Sequence, residues 1–243
     1  MATFAHDTNL RFPLDDPAWV ALFEKHGVEP VGYDDMRKLG DDLTAEVLEI
    51  AFLPAGNYFY LRERPYRPVA NALGAPDGSA ELASVMVVPK ESAATELAEL
   101  RGARLAYTHE FCTTSYFATA LLLHENGLSI DGFFDLVAGY AFEAQLDALL
   151  DGTVEATMVQ EGVLKSRPDA LEATRALGRR AALPGPLMIV GESAGEELAS
   201  EFTELLFSHG LPPRPDNLFT GFAPYKRELV ERFCEDSAAA LPG

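Results

Sequence analysis

Segments rich in β-branched and aromatic residues alternate with amphipathic segments along this chain, and the alternation predicts an α/β fold with mostly parallel sheets. Size agrees, because 243 residues suffice for one large domain or for two α/β lobes of ordinary size. Composition agrees as well: hydrophobic residues make up 48% and charged residues 23%, as in globular proteins. No internal repeat and no low-complexity linker interrupts the pattern.

Residues 10–14 read as a first strand. Asp16 is a good N-cap and Pro17 suits the first helical position, so a helix over 18–26 follows and stops at Gly27. Residues 28–33 read as a strand and 34–42 as helix or loop. The apolar run 47–53 predicts a buried strand that ends in the aromatic stretch 57–60, with Tyr58 and Tyr60 just beyond the strand end. A turn over 75–79 precedes a strand over 84–88, a helix over 91–100 and a strand over 104–107. The loop 108–114 leads into a helix over 115–125, closed by Asn126 and Gly127. Further on, strands are expected over 133–138, 154–159 and 187–190, and helices over 142–150, 195–208 and 226–234. Residues 217–225 read as irregular. The first few residues and the tail 237–243 have no feature that would order them.

The formal net charge is −19, with 19 Lys and Arg against 38 Asp and Glu. Nucleic-acid and anionic-membrane surfaces need a basic stripe, and the nearest candidate here is the short group Arg175, Arg179 and Arg180. Neither partner is therefore expected. A small anion is not excluded, because helix N-termini and local donors bind anions whatever the total charge. Two cysteines, Cys112 and Cys234, make no disulfide framework and no zinc spacing. The five histidines show no metal-ligand spacing, and no glycine pattern marks a nucleotide loop. No metal and no organic cofactor is expected. The first ten residues carry no basic start and no apolar run, so this sequence as written predicts a cytoplasmic chain.

One segment carries chemistry by itself. Thr113, Thr114 and Ser115 put consecutive hydroxyls at a predicted helix start, where backbone N–H groups are unused and the dipole favours negative charge. Such a cradle suits a phosphonate, phosphate, sulfonate or carboxylate. The plainer alternative is an ordinary N-cap, in which one hydroxyl satisfies the first turn.

Several motifs in order resemble the phosphonate-type, type II periplasmic solute-binding proteins. Residues 100–107 (LRGARLAY) resemble the entry into the family's second lobe, and 112–117 (CTTSYF) resemble its Ser-Thr-Ser-Gly segment. Gly127-Leu128 with Phe133-Phe134, then 146–156 (LDALLDGTVEA), then the Pro-rich 183–190 (LPGPLMIV), continue the pattern. The match is good over 100–190 and loose before it. The resemblance implies two lobes joined by two hinge crossings, with lobe one formed by 1–86 plus 190–243 and lobe two by 87–189. It also implies a small anion held in a cleft, with a transporter partner left in doubt by the missing signal sequence. The family's glycine is replaced by Tyr116, its histidine by Phe142, and its aspartate falls near Gln160 and Glu161. With Tyr58 and Tyr140, these substitutions predict a more aromatic site.

Some enzymes share this two-lobed fold, so a lyase, dehydratase or decarboxylase acting on a small carboxylate, an aromatic one included, is the alternative. Its candidate groups are His109, Cys112 and Glu161. Cys112 before a helix start has a setting that lowers a thiol pKa, and His109 and Glu161 are candidate proton carriers. Each has a plainer alternative: a buried apolar residue, an exposed loop residue and a structural acceptor. No nucleophile–base pair is visible in the sequence.

Overall fold

A computed structural model describes residues 2–74, 77–211 and 218–241. The contacts divide the chain into two compact units, Met1–Ala80 with Pro184–Arg227 and Glu81–Leu183 with Glu228–Gly243. By this grouping the C-terminal residues join the middle of the chain, while 184–189 group with the N-terminal segment. No helix among the described residues is long and apolar enough to cross a membrane.

The first unit holds a six-stranded sheet in the order β11-β4-β10-β3-β1-β2. Its strands are β1 (Ala2–Asp7), β2 (Val28–Tyr33), β3 (Ile50–Leu53), β4 (Tyr66–Gly74), β10 (Leu187–Gly191) and β11 (Phe219–Pro224). β1 runs parallel to both β2 and β3, whereas β10 pairs antiparallel with β3 and β4, and β11 antiparallel with β4. The sheet is therefore mixed, and the expected parallel order holds only for its β1–β3 half.

Helix α1 (Pro17–His26) follows its local signals closely. Asp16 Oδ1 accepts from the Ala18 N–H at 2.9 Å, and Gly27 ends the helix in the left-handed region at φ 60°. Helices α2 (Met36–Thr44), α3 (Ala55–Leu61) and α8 (Glu196–Ser208) complete the unit. Its core is an aromatic cluster. Phe4 lies 4.8 Å from Phe12 and 5.3 Å from Phe23, while Trp19 lies 5.0 Å from Phe12 and 5.1 Å from Phe202, measured between ring centroids.

The second unit holds a five-stranded sheet in the order β7-β6-β8-β5-β9. Its strands are β5 (Glu81–Pro89), β6 (Arg104–Ala106), β7 (Asp135–Val137), β8 (Ala156–Gln160) and β9 (Thr174–Pro184). β6 is parallel to β7 and β8, and β5 is antiparallel to β8. Helices α4 (Ala118–Glu125), α5 (Phe142–Leu150), α6 (Glu161–Lys165), α7 (Pro168–Ala173) and α9 (Arg227–Ala240) accompany it. Arg180 on β9, 8% exposed, donates to Glu125 of α4 at 2.5 Å and to Asp236 of α9 at 2.8 Å. Phe233 of α9 meets Phe117 at 5.4 Å.

Several expectations are corrected. Residues 10–14 form no strand; the first strand is β1, and the chain is ordered from Ala2 because β1 lies between two partners. Only residues 97–100 of the expected helix over 91–100 are helical, as a 3₁₀ turn. The carboxylates of Glu96 and Glu99 cap each other's backbone there and start the turn at Leu97. The tail expected to lack order is helical as far as Ala240, because Val230, Phe233, Cys234, Ser237 and Ala240 form one buried stripe. Two further strands were not read at all. β4 contains Pro68, which breaks a strand pattern, yet a register shift opposite Met188 and Ile189 accommodates it. β9 is an edge strand with Gly178, Arg179 and Arg180 in its middle. Residues 219–224, read as irregular, are β11. The expected turn at 75–79 and the start of the 217–225 stretch lie partly outside the described residues.

Gly185 tests how tightly the strand entries are packed. A Cβ there would sit 2.2 Å from the Ala72 carbonyl oxygen, while the Gly185 N–H donates to Ala80 O at 3.0 Å and Asn71 Nδ2 donates to Gly185 O at 3.3 Å. Backbone cannot yield there as a side-chain tip can. Gly185→Ala is expected to lower stability by more than about 3 kcal/mol, and Gly178→Ala by under about 1.5 kcal/mol, because the nearest atoms to the latter's Cβ belong to the Leu122 side chain. Urea denaturation of the two variants checks the order.

Candidate functional site

β6, β7 and β8 run parallel, so their C-terminal ends share one edge of the second unit's sheet. Ligands of open α/β sheets bind at that edge. Three connections leave it: residues 107–112 after β6, 138–141 after β7, and the Gln160–Glu161 step after β8. The antiparallel β5 brings Ser84 to the same edge, opposite Gln160.

The helix after β6 starts earlier than expected, with a five-residue π-helical turn, Thr113–Phe117, that runs directly into α4. The Phe117 N–H reaches back five residues to Cys112 O at 3.1 Å, and Tyr116 N–H shares that acceptor at 3.1 Å. Such widened turns recur at functional sites because they re-aim side chains. Cys112 occupies the N-cap position and provides no side-chain cap. The ordinary-cap alternative is thus not what these hydroxyls do. Ser115 Oγ instead accepts from the Thr108 N–H at 3.3 Å, and Thr114 Oγ1 lies 3.7 Å from Cys112 Sγ. Thr113, Thr114 and Ser115 are buried, at 4%, 7% and 1% exposure.

A polar chain unread in the sequence supports this turn. Gln145 of α5 is 1% exposed. Its Nε2 donates to Thr108 Oγ1 at 2.9 Å, and its Oε1 faces Thr157 Oγ1 at 2.9 Å. Thr157 Oγ1 also lies 3.0 Å from Ala106 O, so its single proton is shared between two acceptors. Thr108 O accepts from the Gly139 N–H at 3.0 Å, and Tyr107 O from the Tyr140 N–H at 3.3 Å. The loops after β6 and β7 are thereby stitched together, with Tyr140 in the second of them. The one available signal was a glutamine within the apolar stripe Phe142, Gln145, Leu146 and Leu149 of α5.

The other candidates are distributed as follows. Tyr116 packs against Tyr107 at 5.7 Å between ring centroids. Phe142 is buried in the first turn of α5. Gln160 ends β8 at 5% exposure. Tyr58 lies in the other unit, on α3, and is buried.

The candidates for chemistry have other employment. Glu161 Oε2 accepts from Arg179 Nη2 at 2.9 Å and Nε at 3.2 Å, and Lys165 Nζ stands 3.4 Å from its Oε1. The Arg179 guanidinium, foremost among these partners, holds the carboxyl below its usual range. An ionised, doubly paired carboxylate is a poor proton carrier. His109 Nδ1 accepts from the Phe111 N–H at 3.2 Å, which puts the proton of the neutral ring on Nε2. Cys112 is 3% exposed, and its N–H donates to His109 O at 3.0 Å. Among the described residues no group of three or more His, Cys, Asp or Glu is arranged to hold a metal ion.

Solved structures share this fold at low sequence identity. A Xanthomonas citri protein solved with bound chloride superposes with TM-score 0.77 at 16% identity, covering 98% of this chain and 96% of that one. PhnD1 of Prochlorococcus marinus, solved with methylphosphonate, gives 0.71 at 13% identity and covers 98% and 97%. A binding-protein component of a phosphonate ABC transporter from Pseudomonas aeruginosa gives 0.73 at 13% identity and covers 98% and 87%. No curated protein matches the sequence. The family model for the phosphonate ABC transporter periplasmic substrate-binding protein matches residues 24–222, and with the two mixed α/β sheets this makes the chain a member of the phosphonate-type substrate-binding protein family.

Proposed function

We propose that this chain binds a small oxyanion of the phosphonate type reversibly, with the π-helical turn Thr113–Phe117 as its cradle. The observation that carries the reading is the use of the hydroxyls. Three of them, all buried, open a helix at the C-terminal edge of the parallel strands β6, β7 and β8, and none serves as its N-cap. First-turn N–H groups lack intrahelical acceptors, and together with the hydroxyls they match the oxygens of a tetrahedral anion. Family membership supports the reading, as does the methylphosphonate held by the Prochlorococcus structure. The Tyr107–Tyr116 pair beside the turn suits the organic substituent of such an anion.

Ligand transformation is not part of this proposal. Glu161 is committed to Arg179 and Lys165, and no observation favours a lyase or dehydratase reading. Methylphosphonate incubated with the protein should be recovered unchanged by phosphorus NMR.

A hydrogen bond to a charged ligand contributes roughly 1.5–3 kcal/mol, which corresponds to about 10- to 100-fold in affinity. Calorimetry with methylphosphonate, methanesulfonate and inorganic phosphate should find at least one binder. Its affinity should drop by that factor in Thr114→Ala and in Ser115→Ala. Unaltered affinity in both variants would move the anion elsewhere.

Gln145→Met keeps the bulk of the side chain and removes the amide. It should lower stability by about 1–3 kcal/mol, because Thr108 and Thr157 lose a buried partner. It should also weaken anion binding, although Gln145 does not touch the turn through any hydrogen bond of its own. A stability loss with unchanged affinity would show that the polar chain serves only the fold.

A further inference from the structure

Ser84 on β5 is fully buried, and its hydroxyl has no hydrogen-bond partner. A serine in a strand between two neighbours, with its hydroxyl unused, costs free energy that alanine would not. Its cross-strand partner is Gln160, so both side chains leave the sheet on the same face. Gln160 is only 5% exposed. An unpartnered hydroxyl thus lies beside a buried amide, and both side chains are capable of donating and accepting.

Topology places this pair on the face that carries the π-helical turn. Thr157 points towards α5 through Gln145, so alternation along β8 sends Met158 and Gln160 to the opposite face. The crossings β6-α4-β7 and β7-α5-β8 travel in opposite directions across the order β7-β6-β8. Right-handed connections therefore put α4 and α5 on opposite faces. The π-helical turn is continuous with α4, and it packs against both β5 and β8. Ser84 and Gln160 consequently share both a face and an edge with Thr113–Ser115.

The charge at this position is settled by its neighbours. Glu161 directly follows Gln160 but is occupied by Arg179 and Lys165. Neither Ser84 nor Gln160 carries charge. An ammonium buried against two neutral groups would lose its hydration without a counter-charge, whereas a hydroxyl could accept from one partner and donate to the other.

We infer that Ser84 and Gln160 form a second, neutral subsite, which takes a hydroxyl on the organic substituent of the bound oxyanion. The inference rests on the oxyanion reading above and narrows its ligand class to hydroxyalkyl-substituted anions, against aminoalkyl ones.

Calorimetry of the intact chain with methylphosphonate, hydroxymethylphosphonate and aminomethylphosphonate tests it. Hydroxymethylphosphonate should bind at least about tenfold more tightly than either of the others. That preference should shrink below about threefold in Ser84→Ala and in Gln160→Met. Ser84→Ala should also melt at the same temperature as the parent chain or higher, because it removes an unsatisfied buried group. A preference near one in the parent chain would overturn the subsite while leaving the oxyanion reading intact. So would a preference that survives both substitutions, or a lower melting temperature in Ser84→Ala. Failure of all three phosphonates to bind would overturn the subsite, and failure of methanesulfonate and inorganic phosphate as well would overturn the oxyanion reading with it.

Discussion

A single buried amide organises the second unit. Gln145 sits between two strand ends, donating to Thr108 at the exit of β6 and facing Thr157 within β8. Each of these bonds, once buried, costs about 1–3 kcal/mol to leave unmade, so α5 has one acceptable position over the sheet. From Thr108 the constraint spreads. Its N–H is tied to Ser115 of the π-helical turn, and its carbonyl to Gly139 in the loop after β7. The hydroxyl-bearing turn is therefore held by the sheet and by a helix on the far face, and not by its own loop alone. The proposed role of this turn as an anion cradle needs this kind of support, because donors that must first be ordered give back part of their binding energy as entropy.

The elements that were legible in the sequence are those whose causes are local. Asp16, Pro17 and Gly27 delimit α1 to the residue, and 142–150 has the apolar spacing of α5. The elements that were missed have tertiary causes. β1 is too polar at its ends to stand out, but it is sandwiched between β2 and β3. β4 survives Pro68 through a bulge against β10. α9 continues past residue 234 because Ser237 and Ala240 pack into the second unit, while Arg180, 56 residues before Asp236, anchors its outer side. Mostly parallel order was a fair reading of alternating strands and helices, yet the antiparallel halves come from β4, β5, β10 and β11. β4 and β5 follow each other in the chain with no helix between them, as do β9 and β10.

The candidate site divides in the same way. The run Thr113–Ser115 was legible because hydroxyls before an apolar helix are a local signal. Their arrangement was not, since the π-helical turn depends on Cys112 accepting two N–H groups at once. Glu161 looked available in the sequence because its partner Arg179 lies on a strand that had not been read. Ser84 looked like one more residue in a β-branched run, and only its register opposite Gln160 sets it apart. Polar residues in apolar patterns, Gln145 and Ser84 alike, were the weak signal that sequence reading passed over.

An oxyanion and a chain of net charge −19 are compatible because their fields act over different distances. Surface carboxylates are screened within about 8–10 Å at physiological ionic strength, so their repulsion acts chiefly on approach and slows encounter. At contact, in the cradle proposed above, the balance belongs to hydroxyls and helix N–H groups. None of the ligand-binding candidates is a lysine or arginine, and Lys165 and Arg179, which flank the Gln160–Glu161 step, are spent on Glu161. The proposed cradle of hydroxyls and N–H groups supplies no full positive charge of its own with which to hold any anion that arrives. Its discrimination has to come from the number and direction of its donors, and therefore from the shape of the ligand and from whatever polar group lies beyond its anionic end.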